Sequence, residues 1–194
     1  MQIPKHIFFT GVPGSRWSGI AQSIESIPGF NTSDRTPERT YEHHNFTGHK
    51  GAYFGTGMEF NADLWKGLEY IDQAWTEPGG HKLVKSHDWA YVARLIKIYF
   101  PDTWLMMVYR PDMASYAWWH EAGGFQIKYP CYDWYENSAK MLLDIQEQNK
   151  CILDYGCQAG VTWEYFTSDW IEREFGHRIK VPEVHKDILV TIVK

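Results

Sequence analysis

Residues 5–21 read KHIFFTGVPGSRWSGIA, and three patterns follow one another in them. Ile7, Phe8 and Phe9 form a short continuous apolar run, the pattern of a buried strand. The run breaks at Thr10-Gly11-Val12-Pro13-Gly14-Ser15, a turn of small residues. Trp17, Ile20, Ala21 and Ile24 then recur at helical spacing. Strand, glycine-bearing loop and helix together suit the binding of a phosphate. Small residues let backbone N–H groups converge on an anion, and a helix N-terminus adds unpaired donors and a partial positive charge. Ser15 and Ser18 add hydroxyls, and Arg16 adds a planar charged fork. The candidate binding stretch is therefore Pro13, Gly14, Ser15, Arg16, Trp17 and Ser18. It is not the ATP-type loop GxxxxGK[ST], because no Lys-Ser or Lys-Thr pair opens the helix.

Outward from this stretch the chain alternates strand and helix patterns. Residues 81–85, HKLVK, read as a short strand, and Ser86 or Asp88 is placed to cap a helix carrying Val92, Leu95, Ile96 and Tyr99. Residues 103–109, TWLMMVY, are near-continuously apolar, which fits a strand covered on both faces. Arg110-Pro111-Asp112 opens the next helix, with Pro111 tolerated in its first turn. Helices are expected over 61–75 and 133–150, a strand over 160–166 and a helix from 167 to about 175. The tail, 188–193, fits strand or helix. Residues 30–60 show no periodicity and read as a long binding loop or lid. This order predicts an α/β three-layer domain with a mostly parallel central sheet. A chain of 194 residues suits one domain, 1–194.

Composition narrows the function. The formal net charge is −5, which offers no broad basic surface for nucleic acid. No apolar run approaches a membrane span, and residues 7–9 are too short for a signal-peptide core. Three cysteines, Cys131, Cys151 and Cys157, make no disulfide framework, so a cytoplasmic location is expected. His43, His44 and His49 lack a completing ligand at a known spacing, and no metal site is expected from them. The glycosylation pattern at Asn45-Phe46-Thr47 matters only in a secreted chain.

In parallel α/β sheets ligands bind beyond the carboxyl ends of the strands. Three strand ends here carry chemistry: the loop at 11–16, Lys85-Ser86-His87, and Tyr109-Arg110-Pro111-Asp112 with Ser115 beyond it. Taken together they resemble the sulfotransferase family. Gly11-Val12-Pro13, Ser15 and Ser18 are similar to its 5′-phosphosulfate loop, GVP-[K/R]-SGTT. Gly14 stands where that loop has a basic residue, and Arg16 where it has glycine. Lys85-Ser86-His87 resembles the Lys-Thr-His motif that ends in the family's catalytic base. Val108-Tyr109-Arg110-Pro111-Asp112 resembles the strand and turn whose arginine and serine hold the 3′-phosphate. The family serine usually lies about eight residues after the arginine, and Ser115 lies five after Arg110. Tyr116 is the alternative hydroxyl. Thr162-Trp163-Glu164-Tyr165-Phe166 is similar to a late Tyr-Glu-Asp-Leu region. The family's C-terminal RKGxxGxWK motif is missing, and residues 30–80 have no counterpart.

The resemblance implies a P-loop-like fold and transfer of a sulfuryl group from 3′-phosphoadenosine 5′-phosphosulfate (PAPS) to a hydroxyl or amine, without a metal. The product nucleotide would be 3′-phosphoadenosine 5′-phosphate (PAP), and the acceptor a small molecule or glycan. It implies His87 as base, Arg16 or Lys85 beside the leaving oxygen, and Arg110 with Ser115 on the 3′-phosphate. Trp118 and Trp119 are weighed as acceptor-pocket rings against plain helix packing, and Asp88 as an alternative base. Two other readings stand beside this one. A Mg-dependent nucleotide phosphotransferase or hydrolase would use Asp112 for the metal but lacks a loop lysine. A non-catalytic nucleotide-binding domain would account for Gly14 and the missing C-terminal motif.

Overall fold

The structure is a computed structural model that describes residues 2–34, 40–42, 50–52, 66–126 and 136–194. Its centre is a five-stranded sheet. The strands are β1 (His6–Thr10), β4 (Lys82–Lys85), β5 (Trp104–Tyr109), β6 (Glu164–Tyr165) and β7 (Leu189–Val193), in the order β4-β1-β5-β7-β6. β2 (Thr40–Glu42) and β3 (Lys50–Ala52) pair antiparallel as a separate two-stranded sheet inside the segment expected to be a loop. β1 lies parallel between β4 and β5, with Phe8 opposite both Val84 and Leu105. β7 runs antiparallel to β5, and β6 antiparallel to β7. The sheet is thus mixed, with a parallel core and an antiparallel margin. The expected strand over 160–166 reduces to two residues, and the tail is a strand.

Side-chain alternation sorts the strands onto two faces. Phe8, Val84, Leu105 and Met107 face a cluster with Trp89, Ala93 and Ile96 of α3 (Trp89–Tyr99) and Met141, Ile145 and Ile152 of α5 (Ser138–Gln158). Ile7, Phe9, Leu83, Met106 and Val108 face Ile20 and Ile24 of α1 (Trp17–Glu25) and Trp170 and Phe175 of α6 (Ser168–Phe175). The apolar runs of β1 and β5 are continuous for this reason: both faces are covered. Two further helices, α2 (Gly67–Asp72) and α4 (Asp112–Glu121), complete the described set. The expected helix over 61–75 is described only from Lys66. The helix expected over 133–150 starts at Ser138, where Asn137 caps it by accepting from the Lys140 amide, and it runs on to Gln158. No helix among the described residues is long and apolar enough to cross a membrane.

At the amino ends of β1 and β4, the Asp72 carboxylate gathers three neighbours. It accepts from Lys5 Nζ at 2.6 Å, Lys82 Nζ at 2.7 Å and His6 Nε2 at 2.7 Å. Burial works to raise the pKa of Asp72, but the hydrogen bonds from Lys5, Lys82 and His6 outweigh it and hold the carboxyl well below its ordinary range. Burial pulls His6 below its ordinary value despite Asp72, so it donates as a neutral imidazole at pH 7. A carboxyl whose pKa falls on folding stabilises the fold above its unfolded value of ~3.9, and that stability drains as pH falls toward the folded value. Asp72→Ala strands the buried Lys82 ammonium and is expected to cost about 2–3 kcal/mol at pH 7. Urea unfolding at pH 7 and pH 3 checks this: the gap between wild type and variant should narrow at the lower pH.

Candidate functional site

The loop at 11–16 is built by its proline and glycine. The Ser15 amide donates to the Val12 carbonyl at 3.0 Å, and Gly14 has φ of 75°. Proline second and a positive-φ glycine third make a type II turn. The Ser15 N–H, expected to face an anion, is therefore used inside the turn. Gly14 also has no room for a side chain: a Cβ there would stand 1.9 Å from the Ser115 carbonyl oxygen and 3.0 Å from Trp119 Cβ. The charge that the resemblance places at this position has no space, and it appears instead at Arg16. Arg16 itself has φ of 63°, a left-handed conformation that strains any side-chain-bearing residue by ~1–2 kcal/mol. It precedes α1 and makes no side-chain cap, which leaves the first-turn amides without intrahelical partners.

The other two strand ends close on this loop. His87 Nδ1 donates to the Gly11 carbonyl, and its ring lies 4.2 Å from that of Trp17. The Thr10 hydroxyl donates to the His87 carbonyl at 3.3 Å, and the Ser86 amide to the Phe9 carbonyl at 3.1 Å. From β5, Arg110 Nη1 donates to the Gly14 carbonyl at 3.1 Å. The structure thus brings loop 11–16, His87 and Arg110 together. His87 is 5% exposed, and burial holds its imidazole down at about 4 against the support of the Gly11 carbonyl. Burial raises the neighbouring Asp88 carboxyl.

Three expected roles change. Lys85 does not join the loop: its Nζ donates to Glu25 Oε1 at 2.6 Å and Asp34 Oδ2 at 3.0 Å, in a buried triad. Ser115 is fully buried, and its hydroxyl donates to the Arg110 carbonyl at 3.3 Å. It shapes the turn that presents Arg110. Trp17 packs in the core, stacked on Phe9 at 5.6 Å, so only its backbone amide is suited to a ligand. Pro13 is buried with the turn, and Ser18 is half-buried at the first turn of α1. Trp119 is core, whereas Trp118 lies under the Arg16 guanidinium, 3.3 Å from carbon to ring centroid. Asp112 accepts from Asn149 Nδ2 at 2.6 Å.

Residues that sequence reading passed over complete the site. The same Asn149 Nδ2 donates to the Arg110 carbonyl at 2.8 Å, which pins the β5 exit to α5. Burial lowers Arg16, and the nearby Arg110 charge lowers it further, with Asp187 and Glu121 opposing. Burial likewise lowers Arg110 against the same two carboxylates. His185 is buried beside these arginines. Among the described residues, Ser15 Oγ, Arg16 Nε, Arg110 Nε and His185 Nδ1 are buried without hydrogen-bond partners. Buried polar atoms are nearly always satisfied, so these four around one loop make it the candidate anion site. Neither His185 nor Asn149 lies in a motif. Their only sequence signal is polarity beside a strand or within a helix face that packs inward.

Among the described residues no group of three or more His, Cys, Asp or Glu is placed to hold a metal. His43, His44, His49, Asn45 and Cys131 lie outside the described residues. No family model, curated protein or solved structure matches the chain.

Proposed function

We propose that the chain is a sulfotransferase-like enzyme that moves a sulfuryl group from PAPS to a hydroxyl or amine acceptor. The observation that carries the reading is the convergence of His87 and Arg110 on a strand–loop–helix turn ringed by unpartnered buried donors. The first-turn amides of α1 and the Ser15 hydroxyl receive the 5′-phosphate. Arg16 stabilises charge on the bridging oxygen as its bond to sulfur breaks, without help from Lys85. The acceptor oxygen or nitrogen attacks sulfur in line and gives its proton to Nε2 of His87. With Nδ1 donating to the Gly11 carbonyl, the basic lone pair is on Nε2. A base of this kind contributes ~10²–10⁴-fold. Arg110 binds the nucleotide's second phosphate through charge-assisted hydrogen bonds.

Titration with PAP tests the reading. At about 100 times its dissociation constant a ligand stabilises by ~2.7 kcal/mol, or roughly 5–10 °C for a chain of this size. Arg110→Ala is expected to weaken PAP by about 10–100-fold, as for a lost hydrogen bond to a charge, and adenosine 5′-phosphate far less. Equal weakening of both nucleotides would remove Arg110 from the 3′-phosphate. Preference for ATP with Mg²⁺ would favour a phosphotransferase. PAP binding without turnover over a panel of hydroxyl and amine acceptors would favour a binding domain, a reading that the diversion of Lys85 supports.

A further inference from the structure

We propose that His185 is a proton-linked member of the anion site: it is neutral when the site is empty and takes up a proton when phosphate or sulfate dianions bind at Arg16 and Arg110. The proposal rests on the anion-binding half of the reading above, not on sulfuryl transfer.

His185 ends a short 3-10 turn (Glu183–His185) that leads into β7. It is 5% exposed, yet it does not act as an ordinary structural histidine. Such a ring usually donates to a backbone carbonyl, and here Nδ1 has no partner among the described residues. The ring lies flush against the first turn of α1. A Cβ on Gly19 would stand 2.7 Å from His185 Nε2 and 2.9 Å from Cε1. Glycine at 19 therefore admits the imidazole to the helix N-terminus, where Ser15 Oγ is also buried and unpartnered. An apolar ring would fill the same space beside Phe166, whose ring centroid is 6.2 Å away. The imidazole adds the ability to become a cation.

Charge explains when it does so. Burial holds His185 down at about 4. The positive charges of Arg16 and Arg110 add to this, and among the described residues the exposed Asp187 opposes them. Glu121 acts on both arginines and so on the same balance. A dianion cancels the positive charge of the two guanidiniums and leaves the Asp187 carboxylate unopposed, which favours imidazolium. Linkage then requires binding to tighten as pH falls, by up to about tenfold per pH unit between the free and bound pKa values.

Calorimetry of the whole protein with PAP and with sodium sulfate, at pH 6 in two buffers of different ionisation enthalpy, measures the protons taken up. Sulfate does not titrate in this range, and for PAP the difference between wild type and His185→Gln isolates the imidazole. The expected result is an uptake approaching one proton per site in wild type, and loss of that uptake in His185→Gln. Should the variant fold poorly, the wild-type imidazole nitrogens report directly. One ring, among the nine His of the chain, should shift to the imidazolium position on adding sulfate. Anion binding with no proton uptake and no ring shift would overturn the role of His185 alone. Failure of wild type to bind either anion would overturn the proposal and the anion site together. His185-dependent uptake without any transfer activity would uphold the proposal while removing sulfuryl transfer.

Discussion

Gly14→Lys, which installs the basic residue that sulfotransferase loops carry at the position Gly14 resembles, should cripple the protein rather than improve it. Gly14→Ala should do nearly the same, because the damage starts at the first side-chain carbon. That carbon would lie 1.9 Å from the Ser115 carbonyl oxygen and 2.7 Å from its carbon. Both atoms belong to the backbone of α4, so no rotamer change relieves the overlap. The left-handed φ of 75° adds ~1–2 kcal/mol for any residue with a Cβ, and forcing backbones apart adds ~1–3 kcal/mol. The expected loss is about 2–5 kcal/mol, a large part of the ~5–15 kcal/mol that holds a typical domain. Denaturant midpoints of the two variants should fall together. Moving α4 also shifts Arg110, which reaches the Gly14 carbonyl, so PAP affinity should fall with stability. Ser18→Ala, at a half-buried neighbour, should cost under about 1 kcal/mol. A Gly14→Lys protein of wild-type stability with tighter PAP binding would show that the loop has the freedom denied to it here.

The same loop shows what the sequence makes legible. Val12-Pro13-Gly14-Ser15 specifies its turn locally: proline sets one torsion, glycine permits the next, and no distant residue is needed. The strands at 6–10 and 104–109 are legible for a similar reason, since burial on both faces leaves an unbroken apolar run. The antiparallel margin is not. β6 is two residues long and exists through its pairing with β7, and β7 is defined by β5. No local pattern records which neighbour a tail will find. In the site, Arg110 is legible because it follows a buried strand directly. His185 is not, because its meaning comes from Gly19 and Arg16, which lie at the other end of the chain. A lone histidine in a polar turn carries no sign of that.

Lys85 is the clearest case of a motif residue whose partners are remote, and its replacement should have the second large effect. Glu25 and Asp34 lie 60 and 51 positions away in the chain. Asp34 is wholly buried, and the Lys85 side chain is 8% exposed. Lys85→Met removes the ammonium that bridges the buried Glu25 and Asp34 carboxylates. Breaking a buried ion group by removing one member costs ~3–5 kcal/mol, because the remaining charge stays desolvated. Were Lys85 instead a ligand contact, as its place at the carboxyl end of β4 suggests, the pattern would be different. Stability would hardly change, and PAP affinity would fall by about tenfold or more. The two outcomes separate cleanly when urea unfolding and PAP titration are run on the same variant under conditions where it remains folded. The expected result is a large loss of stability with PAP affinity within about threefold of wild type. A double-mutant cycle with Asp34→Asn makes the attribution specific. If the triad is the cause, the pair of substitutions should cost ~1–3 kcal/mol less than the sum of the two singles. Strict additivity together with a selective loss of PAP binding would return Lys85 to the site and restore the role that the sulfotransferase resemblance implies for it.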